Sequence, residues 1–246
     1  MTTMEHRYHE RPPVADLRGV LACTWTRSWS IGAALIVIDV VPDACIDIVW
    51  RDDGLLLVAG PDTGPWRAPI VGSRYVGVRF LPGAAPGLLG APASALRDRR
   101  VELADLWGRR CAERLAEELT AAPDKAEEIL TRALARQLRQ AAPPDPLVRA
   151  LVGRLQHGRM GVAAAAAALG VSERQLRRRC EAAVGYSPKV LERVLRFQRF
   201  RSLARLSAAP LVELALAAGY ADQAHLSRDH RRLAGSTPGG VRVRAG

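Results

Sequence analysis

Two stretches of this chain, fifty residues apart, carry the same order of turn, helix and stop, and few folds accommodate such a repeat. The first is Leu176-Arg177-Arg178, six further residues, then Gly185-Tyr186-Ser187-Pro188. The second is Leu226-Ser227-Arg228, six further residues, then Gly235-Ser236-Thr237-Pro238. Each follows an Ala/Leu-rich segment and a glycine turn, at Gly170 and Gly219. A short helix, a tight turn and a second helix with a basic outer side is the arrangement that enters a DNA groove.

The two second helices divide into matching faces. In the first, Leu176, Cys180, Ala183 and Val184 follow the i, i+4, i+7, i+8 spacing of a buried stripe. Arg174, Arg177, Arg178 and Glu181 take the opposite side. Ser172-Glu173-Arg174-Gln175 is an S-x-x-Q capping box that predicts the helix start, and Gly185 its stop. In the second, Leu226, His230, Leu233 and Ala234 face inward, and Ala224, Ser227, Arg228 and Arg231 outward. Asp222 is the expected N-cap and Gly235 the stop. Between the motifs, Ser187 and Pro188 predict a helix running to about Leu206. At 1.5 Å per residue, ~18 residues span about 27 Å. That is the scale needed to hold two helices one turn of DNA apart, roughly 34 Å.

Charge sits where the repeat sits. Residues 147–246 hold 18 Lys+Arg against 6 Asp+Glu, whereas residues 1–146 hold 18 against 19. The C-terminal part therefore carries the electrostatic footprint for a polyanion. Cys23, Cys45, Cys111 and Cys180 are scattered without a CxxC pair, which fits neither a zinc framework nor a disulfide scaffold. The opening Met1–His6 lacks a signal peptide's charged and apolar regions, and no apolar run approaches the ~20 residues of a membrane span. The expectation is a cytoplasmic protein with reduced thiols, no cofactor, no metal and no membrane partner.

The boundary lies at Ala141-Ala142-Pro143-Pro144-Asp145-Pro146, which cannot continue a helix. Asp145 is placed to cap the next one, with Pro146 at its first position. Upstream, Gly32–Val41, Cys45–Trp50, Leu55–Ala59 and Tyr75–Leu81 are short apolar runs bounded by turn residues, the mark of a small barrel or sandwich. Asp105–Leu119 and Asp124–Leu138 read as a helical hairpin broken at Pro123. Its stripes, Leu115 and Leu119 on one helix and Leu130, Leu134 and Leu138 on the other, suit packing within the subunit or against a second copy.

Residues 147–246 resemble the DNA-binding domain of the AraC/XylS family of bacterial transcriptional regulators. The matching residues are Leu176-x-Arg178, Gly185-x-Ser187-Pro188, Arg196-Phe197, Ala215–Gly219-Tyr220, Leu226-x-Arg228 and Gly235-x-Thr237-Pro238. The family's large aromatic is replaced by Cys180 in one motif and His230 in the other. The N-terminal part resembles a sensor-like domain of some actinobacterial members, through Val41–Asp47, Gly77–Ala84, Leu96-Arg97-Asp98 and Leu106-Trp107-Gly108. The resemblance implies signal reception or dimerisation for that part, and RNA polymerase as a partner if the protein activates.

The expected fold class is therefore α+β. Residues 1–140 form a small, cupin-like β-barrel or sandwich with a helical hairpin, 141–146 a linker, and 147–246 an all-α domain with two helix-turn-helix motifs. The expected function is sequence-specific binding of double-stranded DNA by recognition helices at about 173–184 and 223–234. Base-contact candidates are Arg174, Arg177 and Arg178 in the first, and Gln223, His225, Ser227 and Arg228 in the second, since arginine can pair with guanine and glutamine with adenine. Arg179, Arg231 and Arg232 are phosphate-contact candidates. For the N-terminal part, Trp25, Trp29, Trp50 and Trp66 could line a small-molecule effector pocket or simply pack a core. A cysteine-based transfer enzyme using Cys45 or Cys23 and a nonspecific architectural DNA binder are the alternatives, although no histidine or basic partner adjoins either thiol.

Overall fold

Period-two alternation gives the N-terminal strands two faces of opposite character. The protein, analysed as a computed structural model, is described over residues 6–29, 36–70, 74–158 and 160–241. Strands β1 (His6–Arg11), β2 (Leu21–Trp29), β4 (Asp47–Arg51), β5 (Leu56–Ala59), β7 (Arg74–Phe80) and β8 (Arg100–Glu102) form one antiparallel sheet in the order β1-β2-β7-β4-β5-β8. Strands β3 (Ile36–Val40) and β6 (Trp66–Ile70) pair separately as a ribbon. Of the expected strand Gly32–Val41, residues 32–35 lie outside the described residues.

On one face of the sheet Ile48, Trp50, Leu56, Val58, Val76, Val78 and Phe80 are buried. They pack under helices α1 (Pro86–Leu89), α2 (Ala93–Leu96), α3 (Leu103–Trp107), α4 (Arg109–Ala121) and α5 (Ala126–Leu138). Leu115, Leu119, Leu130 and Leu134 lie in this core and Leu138 packs against it, so the hairpin stripes serve the subunit itself. The expected helix over 105–119 is divided by Gly108, whose φ of 82° interrupts it. Strands β1 and β8 are the sheet's two edges, and no pairing joins them. The anticipated barrel, and with it the cupin-like closure, is not made among the described residues. The helices bury the apolar face from outside, so its burial does not require the sheet to curl onto itself.

The other face carries Trp25, Arg27, Asp47, Val49, Leu57, Tyr75 and Arg79, and with the ribbon encloses a cavity of about 460 Å³. Gly77 lies beneath the Trp25 ring, where a Cβ would come within 2.3 Å of the indole. Trp50 points the opposite way, into the core, at 1% exposure.

The C-terminal half is helical: α6 (Pro146–Gln156), α7 (Val162–Ala168), α8 (Glu173–Val184), α9 (Pro188–Leu206), α10 (Leu211–Ala218) and α11 (Gln223–Ala234). Asp145 caps α6, accepting from the Leu147 and Val148 amides at 2.9 and 3.3 Å. Two apolar clusters share α9. One gathers Val148, Leu151, Leu176, Cys180, Val184, Leu191, Val194 and Phe197, the other Phe200, Leu214, Ala215, Ala218, Tyr220 and Leu226. Ala44, from the segment before β4, is buried in the first of these clusters. No described helix is long and apolar enough to cross a membrane.

Candidate nucleic-acid interface

The first motif is α7, a turn at Gly170 and α8. Ser172 Oγ accepts from the Gln175 amide at 3.3 Å, while Gln175 Oε1 accepts from the Ser172 amide at 3.1 Å. This reciprocal cap satisfies amides that a helix start leaves bare. Leu176, Cys180, Ala183 and Val184 are buried, as the spacing requires. Arg174, Arg177 and Arg178 stand exposed on the other side. Arg177 reaches back to Glu181 at 2.8 Å, a surface pair that DNA phosphate could displace. Arg179 is held differently. Its Nε and Nη2 donate to the Asp145 carboxylate at 2.7 and 2.6 Å, and this pairing holds the carboxyl below its usual range. Arg179 thus ties α8 to the cap of α6.

The second motif is α10, a turn at Gly219 and α11. Asp222 Oδ1 accepts from the His225 amide at 2.6 Å. Leu226, His230 and Leu233 are buried. Gln223, Arg228, Arg231 and Arg232 are exposed, and Ser227 is half-buried. His225 is turned partly inward. Its ring meets Tyr220 edge-on at 5.1 Å, and its Nε2 lies 3.3 Å from Arg196 Nη2.

That inward turn exposes a residue the sequence reasoning missed. Asp229, 7% exposed, binds Arg196 at 3.1 Å and Arg193 at 3.3 Å, anchoring α11 to α9. The available signal was a lone aspartate in a basic helix, facing two arginines one turn apart. A third α9 arginine, Arg199, donates to the carbonyls of Leu155, Gln156 and Ala218 at 2.9, 2.7 and 2.6 Å, stitching the ends of α6 and α10 together. Arg179, Arg193, Arg196 and Arg199 are therefore internal ties, while the outer sides of α8 and α11 expose Arg174, Arg178, Arg228, Arg231 and Arg232.

His230 is buried on the inward face of α11. Its ring lies edge-on to Phe197 and Phe200 at 5.5 and 6.2 Å. Nδ1 is 2.7 Å from the Ser236 carbonyl, so this nitrogen carries the proton and donates. Nε2 is buried without a partner, and burial lowers the imidazole's pKa. No cluster of His, Cys, Asp or Glu suited to a metal ion occurs among the described residues.

Cys45 and Cys23 lack the environment of an activated nucleophile. Burial beside Asp43 pushes the Cys45 thiol up, and burial raises Cys23 to about 11. Activation requires the reverse shift. In the cavity nearby, Arg79 gathers Asp47, Glu10 and Asp43 at 3.1, 3.3 and 3.5 Å. Arg27 stacks on Tyr8 at 4.7 Å, and among the described residues its buried Nε meets no hydrogen-bond partner. Trp25, Trp29 and Trp66 line the same space, joined by Gln198, Arg201 and Arg205 from α9.

Residues 165–244 match the family described as "Helix-turn-helix domain", and residues 9–102 match a domain family of unknown function, DUF6597. No curated protein matches the chain. Among solved structures, the C-terminal domain of AraT, a response regulator from Geobacillus stearothermophilus, is 24% identical. The match covers 40% of this chain and 85% of that one, with a TM-score of 0.38. An apo variant of ToxT from Vibrio cholerae is 11% identical over 100% of this chain and 99% of its own, with a TM-score of 0.47. The last third of this chain is thus similar to a helix-turn-helix domain, and the N-terminal part to a domain family whose function is unassigned.

Proposed function

We propose that the protein is a sequence-specific transcriptional regulator of the AraC/XylS type, which lays α8 and α11 into successive major grooves of double-stranded DNA. The observation that carries this is the repeated outer surface. Two helices in one helix-turn-helix domain share a buried stripe, a glycine stop and exposed arginines at equivalent positions, Arg178 and Arg228. Arg174, Arg177 and Arg178 read bases in one groove, and Gln223, Ser227 and Arg228 in the other. His225 joins them by leaving Arg196, and Arg231 and Arg232 hold phosphates. Arg179, occupied by Asp145, is the phosphate candidate with the least support.

The N-terminal domain modulates this binding through its cavity. An effector with an oxygen acceptor would satisfy Arg27 Nε, and Trp25, Trp29 and Trp66 would cover its apolar part. Selecting genomic fragments with the purified protein, then competing them against random DNA at fixed salt, tests the central reading. A recovered motif with two half-sites about one helical turn apart is expected. Equal affinity for random DNA would instead establish an architectural binder.

A further inference from the structure

The exits of the two motifs are touched by one short segment of the N-terminal domain, Gly60-Pro61-Asp62-Thr63-Gly64-Pro65. We propose that this segment is a positioning strap: it fixes the relative orientation of α8 and α11 and so sets the half-site spacing that the protein accepts. The inference rests on the two-groove reading above.

At the first exit the contact is close. The Tyr186 hydroxyl, immediately after α8's glycine stop, donates to the Asp62 carbonyl, and Tyr186 is 1% exposed. Pro61 lies against Gly185, where a Cβ would come within 2.7 Å of the proline ring. Arg97 donates to the Gly185 carbonyl at 3.3 Å. At the second exit the contact is lighter. A Cβ on Gly235 would meet Pro65 at 3.4 Å, and one on Gly64 would lie 3.8 Å from the Arg232 carbonyl.

The strap is stiff enough to transmit position. Arg100 clamps the Asp62 carboxylate with two 2.6 Å bonds. Asp98, in the left-handed region at φ 57°, accepts from the Thr63 amide and hydroxyl. Its own amide donates to the Pro61 carbonyl at 3.1 Å. At Gly60 a Cβ would lie 1.7 Å from the Leu96 carbonyl oxygen, so the backbone is seated against the α2 corner. Pro61 and Pro65 further restrict the segment by fixing their own φ.

A second tie matters because the first leaves a freedom. Within the helical half the motifs are joined by α9, by Arg199 and by Leu233 of α11 in the first cluster, while most of the second motif's apolar side chains form a cluster of their own, so these ties leave room for one motif to rock about the other. A bridge between the two exits removes that motion. On DNA the constraint becomes visible, since inserting one base pair between half-sites turns one by about 34–36° relative to the other.

The test uses the full chain and a DNA series carrying the two selected half-sites at spacings changed by one or two base pairs. The wild type should prefer one spacing by roughly tenfold or more. Pro65→Gly, at an exposed position, and Tyr186→Phe should each flatten that preference to about threefold or less while base preferences inside each half-site persist. Melting temperatures identify folded variants, and Pro65→Gly serves alone if Tyr186→Phe is unstable. A folded Pro65→Gly protein with the wild-type spacing profile overturns the strap, as does a wild type indifferent to spacing. A wild type without any half-site preference instead overturns the regulator reading on which the strap depends.

Discussion

The two helix-turn-helix motifs present similar outer surfaces but are held in place by different physics. The first is seated on apolar packing: α8 shares one cluster with α6 and α9, and its polar ties, the Ser172 cap and the Arg179–Asp145 pair, lie at the surface. The second has a smaller cluster of its own, lends Leu233 to the first, and is further anchored by buried charge, Asp229 against Arg193 and Arg196. Position is therefore set in one motif mainly by shape and in the other by shape together with a buried ion network. A fold signal repeated in sequence can thus conceal unequal sensitivity to mutation and to pH.

The largest contrast should come from the aspartates. Asp229→Ala removes the carboxylate shared by two partly buried guanidinium groups, leaving Arg196 with the Glu192 carboxylate at 4.0 Å, and should destabilise the protein by roughly 3 kcal/mol in denaturant unfolding. Asp145→Ala removes a helix cap and a surface pair and should cost about 1 kcal/mol. Equal losses would mean that the two motifs are held alike.

The glycine stops differ less. Gly185 and Gly235 both have positive φ, 84° and 67°, so alanine costs about 1–2 kcal/mol at either. At Gly185 the Pro61 ring and the Ala93 carbonyl crowd the new methyl group as well. Gly185→Ala should therefore lower the melting temperature more than Gly235→Ala.

On DNA, Arg178→Ala should weaken binding by ~1–3 kcal/mol and relax preference at one base pair. Arg231→Ala should weaken all sequences alike and reduce the salt slope by about one. Titrations against single-base variants at several salt concentrations separate the two, and an unchanged preference in Arg178→Ala would remove that residue from base reading.

The smallest expected effect concerns pH. The folded state keeps His230 neutral, whereas the unfolded chain takes up a proton below about pH 6.5. The His230 contribution is thus fully present above that pH and is lost as pH falls toward the lowered folded-state value. His6 shifts in the same direction, so the comparison needs a mutant. His230→Phe should melt with a shallower decline between pH 7 and pH 5 than the wild type, and an identical decline would show that His230 takes up no proton there.

The caps and stops of α8, α9 and α11 were legible because each rests on local chemistry: Ser172 with Gln175, Ser187 with Pro188, Asp222, and the glycines that follow. The strands were legible only where one face dominates. Strand β2 mixes Thr, Trp, Arg and Cys because one face meets the core and the other the polar cavity, so no clean alternation marks it. Strand β6 contains Pro69, which argues against a central strand, and it is paired only with β3. Asp229 and the strap were hidden for another reason. Their roles depend on α9 and on residues more than a hundred positions away, contacts that helical or strand periodicity does not encode.

Ala44 has a consequence for anyone wishing to lift out the DNA-binding half. This residue sits in the left-handed region at φ 67° and fills a place in the C-terminal cluster, while Tyr186 is covered from the same side. A fragment beginning at residue 147 would carry an open socket where Ala44 had been and a newly wetted tyrosine beside it. The last hundred residues are a module in sequence, but as a solid they are unfinished.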